Sequence, residues 1–167
     1  MWAAFSTLPL VFLALAAWRD LAARVIPDAL PAVLALTALV LRARDGMDAV
    51  LVSLVIGTIL FLVLAVLHGR GWLGGGDVKL AAGVALGLAP GSIAGFLMAT
   101  GLAGLFLALL HLLLRRLPRP CAVAGKLPLL RRIWRAERWR IARHGSLPYG
   151  VAIACGGAFA ILLGPGG

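Results

Sequence analysis

The 167-residue chain is 62% hydrophobic and only 13% charged, with a mean hydropathy of +1.04. Soluble domains average about 45–50% apolar and about 25% charged, so an ordinary cytosolic fold is excluded and an integral membrane protein is expected. The net charge of +10 comes from 16 Lys and Arg against 6 Asp and Glu, and ten of the basic residues fall between Arg115 and Arg143. Basic residues gathered in one stretch of a greasy chain read as a cytoplasmic loop, not as a surface for nucleic acid.

Six apolar segments follow one another, at residues 2–18, 29–41, 49–67, 78–89, 93–114 and 147–163. The first has no basic residue ahead of it, and Arg19 and Arg24 come after it. It therefore reads as an uncleaved helix with its N-terminus outside. Alternating from that start puts 14 basic residues inside and only Arg42 and Arg44 outside. The expected fold is an all-α bundle of six transmembrane helices in a single domain over residues 1–167. The basic cytoplasmic loop covers about residues 115–146.

Segments 29–41 and 78–89 are too short to cross a hydrocarbon core of about 30 Å. Each begins just after an inside loop that carries an aspartate with Gly or Pro. Interrupted helices are tolerated at membrane depth where they line a cavity or pack in protein, so a water-filled notch is expected at the inside mouth. Within the basic loop, residues 129–143 carry Leu130, Ile133, Trp134 and Ile141 on one helical face. The arginines lie off that face, as in an interfacial amphipathic helix resting on anionic lipid.

Acidic residues are few enough to judge singly. Asp45 and Asp48 belong to the outside turn, Glu137 to the interfacial helix, and Asp28 stands where it could cap the second apolar segment. Asp20 and Asp77 remain, and the topology places both on the inside at similar depth. Asp20 reads either as an interfacial carboxylate paired with Arg19 or Arg24, or as a reacting group. Asp77 reads either as a helix cap or as the second member of a pair. Three glycines precede it, Gly74, Gly75 and Gly76, and such a run gives up packing where backbone must approach another chain closely, for example a substrate peptide.

Two carboxylates around one water can perform amide hydrolysis, one taking the proton of the water and the other donating to the carbonyl. Ser53 and Ser92 lie in or beside apolar segments without a His partner. His68, His111 and His144 sit at segment ends or in the loop. Cys121 and Cys155 have no metal-ligand spacing, so neither a metal nor another cofactor is expected. A non-enzymatic reading stays open beside this one: a membrane subunit or small transporter in which the aspartates relay protons or cap helices.

Three stretches carry a family resemblance. They are Asp20 with Arg24-Val25-Ile26-Pro27, then Gly74-Gly75-Gly76-Asp77-Val78-Lys79-Leu80, then Pro148-Tyr149-Gly150-Val151-Ala152. Together they resemble the type IV prepilin peptidases, membrane proteases of the Gly-x-Gly-Asp class. The resemblance implies that Asp20 and Asp77 are the catalytic pair, and that the substrate is a prepilin whose leader is cut at the cytoplasmic face of the bacterial inner membrane. Gly74, Gly75, Gly76 and Lys79 are then candidates for contact with that substrate. Larger members of the family carry two Cys-x-x-Cys pairs in a cytoplasmic insertion. This chain has neither, so it resembles the minimal tight-adherence or Flp-pilus branch, for which methyltransferase activity is not expected. Asp28 stands where the family usually has Asn.

Overall fold

A computed structural model describes residues 2–116, Trp139 and residues 147–163. The described residues form six α-helices and no strand. These are α1 (Trp2–Ala23), α2 (Ala29–Arg42), α3 (Met47–Gly69), α4 (Gly75–Gly87), α5 (Ile93–Arg115) and α6 (Tyr149–Leu163), with single 3₁₀ turns at Ala43–Asp45 and Pro90–Ser92. Cys121 and the expected interfacial helix at residues 129–143 lie outside the described residues, apart from Trp139.

The helices alternate in direction. Leu13 of α1 lies where a side chain on Gly157 of α6 would go, while Asp20 at the other end of α1 meets Gly150. Ala38 approaches Gly87 near the C-terminal ends of α2 and α4, and Asp28 pairs with Lys79 near their N-terminal ends. So α1, α3 and α5 run one way and α2, α4 and α6 the other. The C-terminal ends of α1 and α3 thus meet the N-terminal ends of α2, α4 and α6.

Small residues set the closeness of this packing. Thr100 of α5 occupies the place of a Cβ on Gly156, and Leu86 of α4 lies 2.6 Å from where Gly57 of α3 would carry one. Helices in lipid gain little from burying apolar surface against each other, so backbone proximity of this kind supplies much of the contact.

Burial is distributed accordingly. The core includes Leu13, Ala16, Leu34, Leu80, Ala81, Val84, Phe96 and Ile153, drawn from α1, α2, α4, α5 and α6. Helix α4 is at its centre, buried at every position from Val78 to Ala85 except Lys79. By contrast α3 and α5 expose Val55, Ile59, Leu62, Leu102, Leu105, Phe106 and Leu113. An apolar surface that size on a water-soluble monomer would be an aggregation site, and against lipid it costs nothing.

Two segments, Met47–Gly69 and Pro90–Arg115, are long and apolar enough to cross a membrane. Helices α2, α4 and α6 have 14, 13 and 15 residues, about 20–23 Å of rise. For α4 the shortness has a visible compensation, because its faces lie against α2, α3 and α6. The length shortfall read from the sequence at segments 29–41 and 78–89 persists in α2 and α4.

Candidate functional site

The cavity at the shared end is built by three helix ends, each with its own local cause. Helix α3 stops in a Schellman turn: Gly71 has φ 76°, its N–H donates to the His68 carbonyl at 2.8 Å, and the Trp72 N–H donates to the Leu67 carbonyl at 3.1 Å. Glycine tolerates this left-handed backbone without strain. His68 Nδ1 lies 2.8 Å from the Leu73 carbonyl, tying the following loop to the helix it leaves.

Helix α4 starts at Gly74, whose backbone is extended (φ −71°, ψ 143°) and whose carbonyl accepts from Val78 N–H at 3.2 Å. Asp77 is the third residue of the helix. Its carboxylate reaches back to accept the Gly74 N–H, which is one half of a capping box. A Cβ on Gly74 would stand 2.8 Å from Asp77 Oδ2. The expectation of Asp77 as the cap residue itself is thereby refined: Gly74 occupies that position, and Asp77 serves it from within the first turn.

Helix α1 ends at Arg24, whose φ of 56° is left-handed and whose N–H closes on the Asp20 carbonyl at 2.9 Å. The Asp20 side chain is buried, at 6% exposure, and its Oδ2 accepts the Gly150 N–H from the first turn of α6 at 2.8 Å. A Cβ on Gly150 would meet Asp20 Oδ2 at 2.9 Å and Ile26 Cδ1 at 3.0 Å, so glycine is what lets α6 reach the carboxylate. Ile26 also packs 3.2 Å from where Gly76 would carry a Cβ. One side chain from the α1–α2 connection thus closes against both glycine-containing helix starts.

These pieces enclose a cavity of about 470 Å³ lined by Asp20, Arg24, Trp72, Gly74, Asp77 and Tyr149, with Gly71, Leu73 and Leu147. That volume is within the range of small-molecule sites. The N-terminal ends of α2, α4 and α6 lie at this end of the bundle, and their helix dipoles favour negative charge there. Asp77 precedes the apolar segment 78–89 and borders the cavity outside it. Its carboxyl is pushed up to about 6, first by burial and then by the charge of Asp20, against the opposing pull of the Gly74 N–H and of Arg24. The charge of Asp20 thus acts on Asp77 at the cavity that both line.

The structure brings Asp20, Gly74 and Asp77 to one cavity and leaves the other sequence candidates off its lining. Gly75 sits under the His68 ring, with Cε1 3.4 Å from its would-be Cβ, and Gly76 sits under Ile26. Their empty side-chain positions are bordered by the protein's own residues. Lys79 pairs with Asp28 at 2.8 Å, both largely exposed. Asp28 is at the start of α2 but makes no side-chain capping bond there.

At the far end of the bundle Arg42 bonds Ser53 Oγ at 3.0 Å and Asp45 at 2.8 Å. From the sequence, Arg24 was one of two ion-pair partners for Asp20, Tyr149 and Gly150 belonged to the stretches that carry the family resemblance, and Trp72 had no role. A glycine after a helix followed by Trp, and a Tyr-Gly pair opening the last apolar segment, were the available signals.

No curated protein sequence and no solved structure matches the chain. A family model described as the type IV leader peptidase family matches residues 7–109. The matched stretch runs from α1 into α5 and contains Asp20, Arg24, the three glycines and Asp77, leaving α6 beyond it. The chain belongs to the type IV leader peptidase family, a family of membrane proteases.

Proposed function

We propose that the protein removes the leader peptide from type IV or Flp-type prepilins at the cytoplasmic face of the bacterial inner membrane, as an aspartic endopeptidase. The observation that carries this reading is the convergence of Asp20 and Asp77, from different helices, on one cavity. Family membership favours the peptidase over a proton relay.

In the proposed reaction the pair holds one proton, carried by Asp77, while Asp20 is ionised. Asp20 takes a proton from a water as its oxygen adds to the scissile carbonyl carbon, and Asp77 protonates the carbonyl oxygen. Asp20 then returns its proton to the amide nitrogen as the C–N bond breaks, and Asp77 recovers its proton from the diol. Each carboxyl ends as it began.

Six membrane-embedded helices with both termini outside fit the distribution of basic residues. Trp18, Trp72 and Tyr149 are exposed at the cavity end of the bundle, and aromatic residues with a polar tip favour the membrane–water boundary. This supports a site at that boundary, where a peptide bond just ahead of an apolar helix would be presented. The basic loop, at about residues 115–146, is assigned to anionic lipid. Basic leaders would be repelled by it, whereas each basic residue near an anionic surface contributes about 1 kcal/mol.

The test is Asp20→Asn and Asp77→Asn, each co-expressed with the prepilin encoded nearest in the genome and assayed by gel shift of the leader. Both variants should insert normally and leave the prepilin uncut. Processing at a near-normal rate by either one would end the assignment of the pair, because an amide can neither take the proton of the water nor pass on the shared one.

A further inference from the structure

Arg24 ends α1 in a conformation that glycine adopts freely and arginine does not. Its N–H is bonded to the carbonyl of Asp20 itself, so the turn is tied directly to the residue whose side chain faces Gly150. The guanidinium side chain lines the same cavity as both carboxylates, with its Nε sealed from solvent. A non-glycine residue persists in the left-handed region where the surrounding structure over-determines it, and such residues cluster at active sites.

We propose that Arg24 is a positioning residue of the carboxylate pair: its left-handed turn at the end of α1 delivers a fixed positive charge into the cavity and holds the pair in its singly protonated form. This rests on the peptidase reading above. A buried pair without a nearby cation would retain its second proton to higher pH, and with both carboxyls neutral no base remains for the water. The direction agrees with the downward pull of Arg24 on Asp77.

Arg19, Arg70, Arg115 and Arg116, at the C-terminal ends of α1, α3 and α5, are exposed and off the cavity lining. His68 on α3 is turned to the Leu73 carbonyl, Lys79 on α4 is bound to Asp28 ahead of α2, and Tyr149 on α6 borders the cavity. Arg24 is the cationic side chain among the residues lining that cavity.

The experiment compares Arg24→Gln, Arg24→Lys and Arg24→Gly in the purified full-length chain in detergent, with the neighbouring prepilin as probe. Cleavage rate is recorded against pH, and thermal stability is measured in parallel. Removing the charge should move both limbs of the pH profile upward. Arg24→Lys should stay near the native profile. Arg24→Gly relaxes the backbone, so it should melt no lower than the native chain and still show the shift, which separates the charge from the fold. An unmoved profile in Arg24→Gln and Arg24→Gly, or an equal shift in Arg24→Lys, would overturn the proposal. Asp20→Asn and Asp77→Asn, run alongside, report independently on the pair. If they stay inactive while the Arg24 profile is unmoved, the Arg24 inference alone is lost. If they cleave, the peptidase assignment falls first.

Discussion

Replacing Gly74 by alanine should separate catalysis from folding more cleanly than any other single change in the site. The backbone of Gly74 (φ −71°, ψ 143°) suits any residue, so the substitution introduces no dihedral strain. The added Cβ would stand 2.8 Å from Asp77 Oδ2 and 3.6 Å from its Cγ, with no other neighbour inside 4 Å. Only the carboxyl has to move, from 2.8 Å out to the 3.4 Å at which ordinary contact begins, a shift of about 0.6 Å.

The side chain is half-buried at the edge of a cavity, so it can retreat into space, and the fold should lose less than about 1 kcal/mol. Catalysis is less forgiving. Misplacing a reacting group by about 1 Å can cost about 100-fold, equivalent to about 2.7 kcal/mol of barrier. A loss of roughly 10- to 100-fold in leader cleavage at nearly unchanged melting temperature is therefore expected. Gly75→Ala, facing the His68 ring at 3.4 Å, should be close to native, and Gly76→Ala, at 3.2 Å from Ile26 Cβ, should lie between. Kinetics of purified enzyme on the solubilised prepilin, paired with thermal unfolding, provide both readings. Native cleavage by Gly74→Ala, or a collapse of its stability, would refute the idea that this glycine exists to make room for the Asp77 carboxyl.

The remaining expectations concern residues away from the cavity. Lys79→Met breaks a pair whose two side chains are 47% and 76% exposed, so stability should change by no more than about 0.5 kcal/mol and cleavage only modestly. An inactive Lys79→Met protein would bring Lys79 into the site after all. A cysteine introduced at the exposed Arg44 should react with a membrane-impermeant thiol reagent applied from the periplasmic side. Labelling from the cytoplasm alone would reverse the proposed orientation.

The two aspartates were legible in the sequence because a chain with six acidic residues leaves few to choose from. Four of the six had simple placements at turns or in the basic loop. Spacing along the chain also predicted two helices too short for the bilayer, and α2 and α4 are that short.

The purpose of the glycine run was not legible. A sequence shows that Gly74, Gly75 and Gly76 carry no side chains, which fits an approaching substrate as well as any internal neighbour. In the structure the neighbours are internal, and two are remote or indirect: Ile26 lies fifty residues before Gly76, and His68 arrives only because α3 ends in a Schellman turn. The spacing of the three contacts accounts for the pattern Gly-x-Gly-Asp by itself. The first glycine clears the carboxyl, the third clears Ile26, and the middle one meets the His68 ring at an ordinary contact distance, which is the position a motif can leave free.

The Lys79–Asp28 pair was hidden for a similar reason, since its members are 51 residues apart, one on α4 and the other just ahead of α2. Arg24 illustrates the limit most clearly. Along the chain it is a positive charge marking the inside of a membrane and one of two neighbours with which Asp20 could pair. Its backbone angle and its bond to the Asp20 carbonyl, which no count of charges contains, turn that charge into a candidate part of the site.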